Sequence, residues 1–188
     1  MIKLSLKTNF PEVIKRFDQM ATDLRDRAMV SAVNKVTTQA RTAMQREIGA
    51  EFNLRAAKIK ESLRVRKARY LRGVARIEAV LESPSRKGRS LNVVNFEARQ
   101  VAAGVSVKIK RSTGRKVIKS AFIANKGRTV FQRVGKERLP IKAVQTIEVA
   151  QMFNTKRINA KVVQFIEAKL PAIAENEMRY FTTIFNRR

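Results

Sequence analysis

The sequence contains no cysteine and no histidine, and these two absences remove several classes of function. Without cysteine the chain can form neither a disulfide framework nor a thiolate metal site. Without histidine it lacks the commonest general base and the commonest metal ligand. No apolar run is long enough to span a bilayer, and the opening stretch MIKLSLKTNF lacks the apolar segment of a secretory signal. We therefore expect no metal, no cofactor and no membrane partner.

Aromatic side chains are also scarce, at 6% of the chain, with no tryptophan and two tyrosines. Proteins that bind single-stranded nucleic acid usually stack bases on exposed aromatic rings beside a basic groove. Tyr70, among arginines in RKARYLRG, is the best candidate for stacking, and an ordinary amphipathic connector fits this stretch equally well. Phe122 and Phe131 lie in strand-like runs and are more typical of a core.

Acidic residues are few, and the resulting charge is uneven. The chain has 41 Lys and Arg against 15 Asp and Glu, a formal net charge of +26. Residues 53–142 hold 25 of the basic residues and 5 of the acidic ones. A segment this basic attracts polyanions. Zinc fingers are excluded, and no helix-turn-helix signature stands out, so the charge favours sequence-independent contact with phosphates.

The motifs of catalysis are missing. Seven residues separate Gly127 from Gly135, where a Walker loop needs four, and no Ser or Thr follows Lys136. Glu78 and Glu82 would share one face of a strand, but two glutamates without a third ligand are better interpreted as surface ion-pair partners of nearby arginines. We therefore predict that the protein is not an enzyme.

Hydrophobic periodicity predicts an α+β fold with a long N-terminal helix and one or more C-terminal helices packed with a central antiparallel β-sheet. We interpret the chain as a single domain, 1–188, with an N-terminal strand or arm (1–8), a helical part (9–63), a basic β-rich part (73–142) and a C-terminal helical part (155–188). Predicted strands cover 2–7, 74–81, 91–96, 104–110, 117–125 and 129–134, with a turn at Lys126-Gly127. The first helix carries a possible break near Val30, Asn53 can cap a second helix over 54–63, and Pro171 kinks or divides the last helical segment, 156–186.

Five short motifs occur in a fixed order: ARQ (98–100), GVSV (104–107), AFIA (121–124), VFQR (130–133) and GKERLPI (135–141), followed by QM at 151–152. Over about residues 25–155 this series resembles the prophage minor tail protein Z family of tailed bacteriophages. Lys119-Ser120 stands where the family pattern has Pro-Gly, and 146–150 lacks its Gly-Pro and Val-Pro. These departures concern the shape of loops.

The resemblance implies a structural virion protein that completes the tail at its head-proximal end. It implies a hexameric ring that contacts the tail terminator, the tail tube and head-connector proteins and lets double-stranded DNA pass. We expect synthesis in the host cytoplasm and exchange of the N-terminal strand or C-terminal helix between neighbours. A sequence-independent nucleic-acid-binding protein is the alternative.

Cations that line such a channel, or contact a partner, would come from the basic middle of the chain. We expect the turn at Lys126-Gly127 to lie nearest the DNA, while Phe122, Ile123, Val130, Phe131 and Ile141 hold the sheet. The candidates are Arg66, Lys67, Arg69, Arg72, Arg86, Lys87, Arg89, Lys126, Arg128, Arg133, Lys136 and Arg138.

Overall fold

The chain forms two compact units, each assembled from separated segments. A computed structural model describes residues 2–5, 22–71, 74–85 and 90–185. The first unit comprises Met1–Met44, Leu63–Pro84 and Lys156–Arg188, and the second comprises Gln45–Ser62 and Ser85–Thr155. The interpretation of 1–188 as one domain stays a prediction.

Two long helices supply most of the first unit. Helix α1 spans Thr22–Glu51, with its last turns in the second unit, and helix α4 spans Lys156–Phe185. Ala28 and Ala32 of α1 pack in one cluster with Ala174 of α4. Small side chains let two helix backbones approach closely, so this seam fixes the pairing of the helices. Both helices are continuous, so the break predicted near Val30 is wrong, and Pro171 lies inside α4 without ending it.

The first unit also contains two small antiparallel sheets. A three-stranded sheet has the order β1-β5-β2, and β3 and β4 form a two-stranded hairpin. These strands are β1 (Ile2–Ser5), β2 (Arg64–Arg66), β3 (Arg69–Leu71), β4 (Val74–Arg76) and β5 (Val80–Ser83). The strand predicted over 74–81 is therefore divided, because its two halves pair with different partners, β3 and β1. The stretch RKARYLRG, 66–73, supplies the last residue of β2 and all of β3.

The second unit is built on two three-stranded antiparallel sheets, β6-β7-β8 and β11-β10-β9. These strands are β6 (Arg99–Val101), β7 (Gly104–Val107), β8 (Lys116–Lys119), β9 (Ala121–Ala124), β10 (Thr129–Arg133) and β11 (Ile141–Ala143). Two short helices, α2 (Ala56–Ser62) and α3 (Val149–Phe153), complete the unit. Val105 and Val107 of β7 pack with Ala121 and Val130 in a buried cluster between the sheets. Full burial of each such valine stabilises the fold by roughly 1.5–3 kcal/mol.

Three local predictions in the second unit are wrong. Residues 91–96 contain a 3₁₀ turn, Val93–Asn95, instead of a strand, because Asn92 caps it with its side chain. The strand predicted over 117–125 is interrupted at Ser120, whose positive φ of 59° divides it into β8 and β9. Asn53 does not cap α2, because the helix begins at Ala56 and its N-cap position is Arg55. The side chain of Asn53 donates a hydrogen bond to the carbonyl of Lys108.

The fold class is α+β, as the periodicity predicts, with long helices near both ends and antiparallel strands between them. The predicted strand at 104–110 is confirmed in its first four residues and the predicted strand at 129–134 in all but its last. Within the part of the chain that the structure describes, no helix is long and apolar enough to cross a membrane.

Candidate functional site

The candidate cations divide between the two units. Arg72, Arg86, Lys87 and Arg89 lie outside the described residues. The other eight are all exposed to solvent. The first unit holds Arg66, Lys67 and Arg69, and the second holds Lys126, Arg128, Arg133, Lys136 and Arg138.

In the first unit one of the candidate cations, Arg66, pairs with a buried carboxylate. Glu82 on β5 is 6% exposed, and its Oε2 lies 3.5 Å from a terminal nitrogen of Arg66 on β2. The prediction that Glu82 pairs with an arginine is therefore confirmed, but the prediction that it does so at the surface is wrong, because its carboxylate is buried. A cavity of about 660 Å³ opens beside this pair and is lined by Thr38, Arg41, Leu63, Arg64, Val65, Arg66, Lys67 and Glu82. Among the described residues, no cluster of acidic side chains could hold a metal ion.

Lys67 and Arg69 flank a residue that is fixed to helix α1. Asn34 on α1 accepts a 2.8 Å hydrogen bond from the amide of Ala68 and donates a 3.0 Å bond to its carbonyl. Ala68 is buried, with its side chain in a cluster with Val33 of α1. Because Ala68 is held at both backbone groups, its two cationic neighbours occupy defined positions at the surface. The role of Asn34 was not predicted, because the hydrophobic pattern of the sequence gives no information about which polar residues form long-range hydrogen bonds.

Tyr70 is already engaged by its own unit. Its hydroxyl donates a hydrogen bond to Asp23, and the guanidinium of Arg27 lies 5.0 Å from the centroid of its ring. Both partners come from the first turns of α1. Since one ring face is covered by an arginine, the structure disfavours the base-stacking interpretation. Tyr70 lies in strand β3, so the connector interpretation is wrong as well.

In the second unit the hairpin sheet β9–β10–β11 places its cations at opposite ends. Lys126 and Arg128 lie in the turn between β9 and β10, and Lys136 and Arg138 lie in the loop between β10 and β11. Consecutive antiparallel strands are connected at alternate ends of a sheet. Strand β10 has five residues and a rise of about 3.3 Å per residue, so the two groups are roughly 15 Å apart. The five candidates therefore form two separate clusters.

The turn cluster has a tight backbone. Lys126 and Gly127 both have positive φ, 52° and 80°, and the amide of Arg128 donates a 3.1 Å hydrogen bond to the carbonyl of Asn125. Positive φ at both central residues is the requirement of the tightest hairpin turns, because it matches the twist of the strands. The predicted turn is confirmed, and it exposes Lys126 at its tip.

Arg133 differs from the other cations of this sheet because it is held against an aromatic ring. Its guanidinium carbon lies 5.3 Å from the ring centroid of Phe122. Phe122 in turn stacks on Phe131, its cross-strand neighbour, at a centroid distance of 6.1 Å. Such a contact restricts the guanidinium at an exposed position and contributes about 0.5–1 kcal/mol.

Together these features define a basic α+β protein whose exposed cations are carried by hairpin turns, loops and strand edges. The class to which the chain is similar is that of structural proteins of bacteriophage tails. A family model described as prophage minor tail protein Z (GPZ) matches residues 10–184. The chain belongs to this family, so the predicted resemblance is confirmed and the protein is a component of the virion. No curated protein and no solved structure matches the chain.

Proposed function

We propose that the protein completes the tail at its head-proximal end, where copies form a ring that joins tail to head and lets the genome pass. Membership of the minor tail protein Z family supports the location of the protein in the tail. The observation that carries the finer proposal is the exposed cationic turn at Lys126 and Arg128, within a segment, 53–142, that holds 25 basic and 5 acidic residues. We expect six copies, as the resemblance implies, and contacts with the tail terminator, the tail tube and head-connector proteins.

Such a channel must attract DNA electrostatically without binding it so tightly that the DNA cannot slide. Phosphate contacts by Lys and Arg are long-ranged, independent of sequence and weakened by salt, so DNA can slide past them. Base-specific contacts would oppose sliding. Exposed cations on a turn provide this kind of field, and Lys126 and Arg128 have that setting.

Electron microscopy of tails provides the test. Tails produced by a prophage that lacks this gene would be compared with tails to which the purified protein, labelled at an exposed position, is added. We expect the label at one end of the tail, around a closed ring, and recovery of head attachment. A label distributed along the tail, or at the end that contacts the host, would contradict the proposal.

A sequence-independent nucleic-acid-binding protein is the second candidate, because the same exposed cations would serve it. Sedimentation of the isolated protein with short duplex DNA distinguishes the two functions. A monomer that binds duplex tightly at physiological salt favours the second candidate. A ring-forming protein whose DNA affinity is weak at that salt favours tail completion.

A further inference from the structure

The outward side of the β9–β10–β11 sheet is an apolar surface. Ala121, Ile123 and Val130 pack against the core of the second unit. Because side chains alternate along a strand, their neighbours Phe122 and Phe131 point to the opposite side. The register places Phe131 beside Phe122 on one flank and beside Ala143 on the other. A row of apolar side chains therefore crosses all three strands on the side away from the core.

Exposed apolar residues also lie at the end of the sheet where β10 and β11 are joined. Ile141 is opposite Arg133 in the register and is 39% exposed. The loop between them exposes Val134 at 59% and Leu139 at 66%. The amide of Val134 donates a 3.1 Å hydrogen bond to the carbonyl of Pro140, which closes the base of the loop. We call this side of the sheet, with Phe122, Phe131, Arg133 and Ile141, together with the exposed residues Val134 and Leu139 of the adjoining loop, the apolar face.

The rim of the apolar face is positively charged. Lys136 and Arg138 are exposed in the same loop, and Arg133 lies over the ring of Phe122. Glu137 is the only acidic residue in the sequence between 121 and 145. A stacked guanidinium loses less freedom than a lysine when it pairs with a carboxylate, and its planar fork matches both carboxylate oxygens.

We propose that the apolar face docks a protein partner whose contact surface is apolar at its centre and carries carboxylates around it. Aromatic and arginine side chains dominate the binding energy of protein interfaces, and this face presents both together. Duplex DNA carries phosphates on its outside and offers no comparable apolar area to cover Leu139 and Ile141. The same face of a second copy would place like charges opposite each other, which is unfavourable.

A binding experiment with designed probes tests this chemistry directly. The probes are a short peptide in which leucines are flanked by glutamates, the same peptide with serine for leucine, and short duplex DNA. The test variant is Val134→Ser with Leu139→Ser, and the matched control is Val163→Ser with Ile184→Ser on α4, whose side chains are 36% and 38% exposed. All four positions are exposed, so the variants should fold, and circular dichroism checks this.

We expect the dissociation constant of the test variant for the leucine peptide to rise roughly tenfold. This corresponds to a loss of about 1.4 kcal/mol in binding free energy. Its affinities for the serine peptide and the duplex should change by about twofold at most, and the control should bind all three probes like the parent protein. An unchanged affinity for the leucine peptide, or an equal loss for the duplex, would overturn the proposal. The peptide-binding measurement does not require the protein to assemble into a ring. A negative result would therefore contradict the docking proposal without contradicting the tail-completion proposal.

A photocrosslinking amino acid at Leu139, introduced into assembled tails, identifies what covers the face in the particle. We expect an adduct with a different tail or head protein at an acidic surface, and loss of this adduct in Arg133→Glu. An adduct with another copy of this chain, with DNA alone, or no adduct at Leu139 would overturn the proposal. The same crosslinker at Val163 serves as the control.

Discussion

The hydroxyl of Ser31 on α1 donates a 2.6 Å hydrogen bond to the carboxylate of Glu177 on α4, joining two residues 146 positions apart in the chain. The ammonium of Lys35, one turn further along α1, donates to the other oxygen of the same carboxylate. Glu177 is 4% exposed, so its charge is buried and compensated by partners on a single helix. The contact sets the register of α4 against α1 beside their small-residue seam.

Glu177→Ala should destabilise the first unit. The substitution leaves the Ser31 hydroxyl without its partner in a half-buried position, which costs about 1–3 kcal/mol in the free energy of unfolding. Lys35 adds little to this figure, because its side chain is 60% exposed and its ion pair is screened by solvent. Urea denaturation followed by circular dichroism measures the loss. Glu175→Ala, which breaks the exposed pair of Glu175 with Arg179, should cost about 0.5 kcal/mol, and equal costs would contradict the assignment.

Gly104→Ala should be far more damaging than Gly114→Ala. Gly104 has a φ of +143°, and a Cβ there would lie 2.1 Å from the carbonyl oxygen of Ile118 on the neighbouring strand. Strands β7 and β8 would have to separate, so we expect a loss of about 3 kcal/mol or more. At Gly114 no atom lies within 4 Å of an added Cβ. Thermal unfolding of both variants makes the comparison, and similar melting temperatures would show that the close approach is wrong.

Asn92→Ala should remove the hydrogen-bond acceptor of one buried amide in the hairpin sheet, that of Val130. The Oδ1 atom of Asn92 accepts hydrogen bonds from the amides of Val130, at 2.9 Å, and Val94, at 3.1 Å. Without this oxygen the buried amide of Val130 loses its partner, at a cost of about 1–3 kcal/mol. Hydrogen exchange by NMR should show much faster exchange at Val130. Asn154→Ala at an exposed position is the control and should leave this rate unchanged.

The cations of the turn between β9 and β10 should contribute more to contact with DNA than those of the loop between β10 and β11. Each phosphate contact that is lost lowers the slope of log affinity against log salt by about 0.9, so removing a pair that contacts phosphates lowers it by up to about 1.8. We expect Lys126→Gln with Arg128→Gln to lower the slope more than Lys136→Gln with Arg138→Gln, because the turn is the predicted DNA contact. Fluorescence anisotropy over a salt series measures both. A larger effect of the loop pair would reverse the assignment.

The sequence predicts elements well where apolar residues recur at a regular spacing. In GVSV the alternation of Val105 and Val107 reflects a real core, and both side chains are buried in the second unit. The apolar spacing of α1 and α4 likewise predicts both helices. The motif order identifies the family, because short blocks in sequence do not depend on knowing the fold.

Prediction from the sequence fails where a single residue determines the local backbone conformation. The apolar residues of 91–96 resemble a strand, but the side chain of Asn92 binds the amide of Val94 and turns the chain. Ser120 adopts a positive φ that no residue-level preference indicates, and this single residue divides the strand predicted over 117–125 into two sheets. Periodicity also cannot tell that Lys126 and Lys136 lie at opposite ends of one hairpin sheet, since this depends on which segments pair.

The position of α4 in the chain has a consequence for synthesis on the ribosome. Translation adds residues in order, and domains generally fold as their last segment emerges. Ala28 and Ala32 have no partner until Ala174 is made, so their part of α1 stays uncovered while more than a hundred intervening residues are added. The central strands can close before then. A nascent chain stalled ahead of residue 156 should therefore hold a protease-resistant middle and a vulnerable beginning.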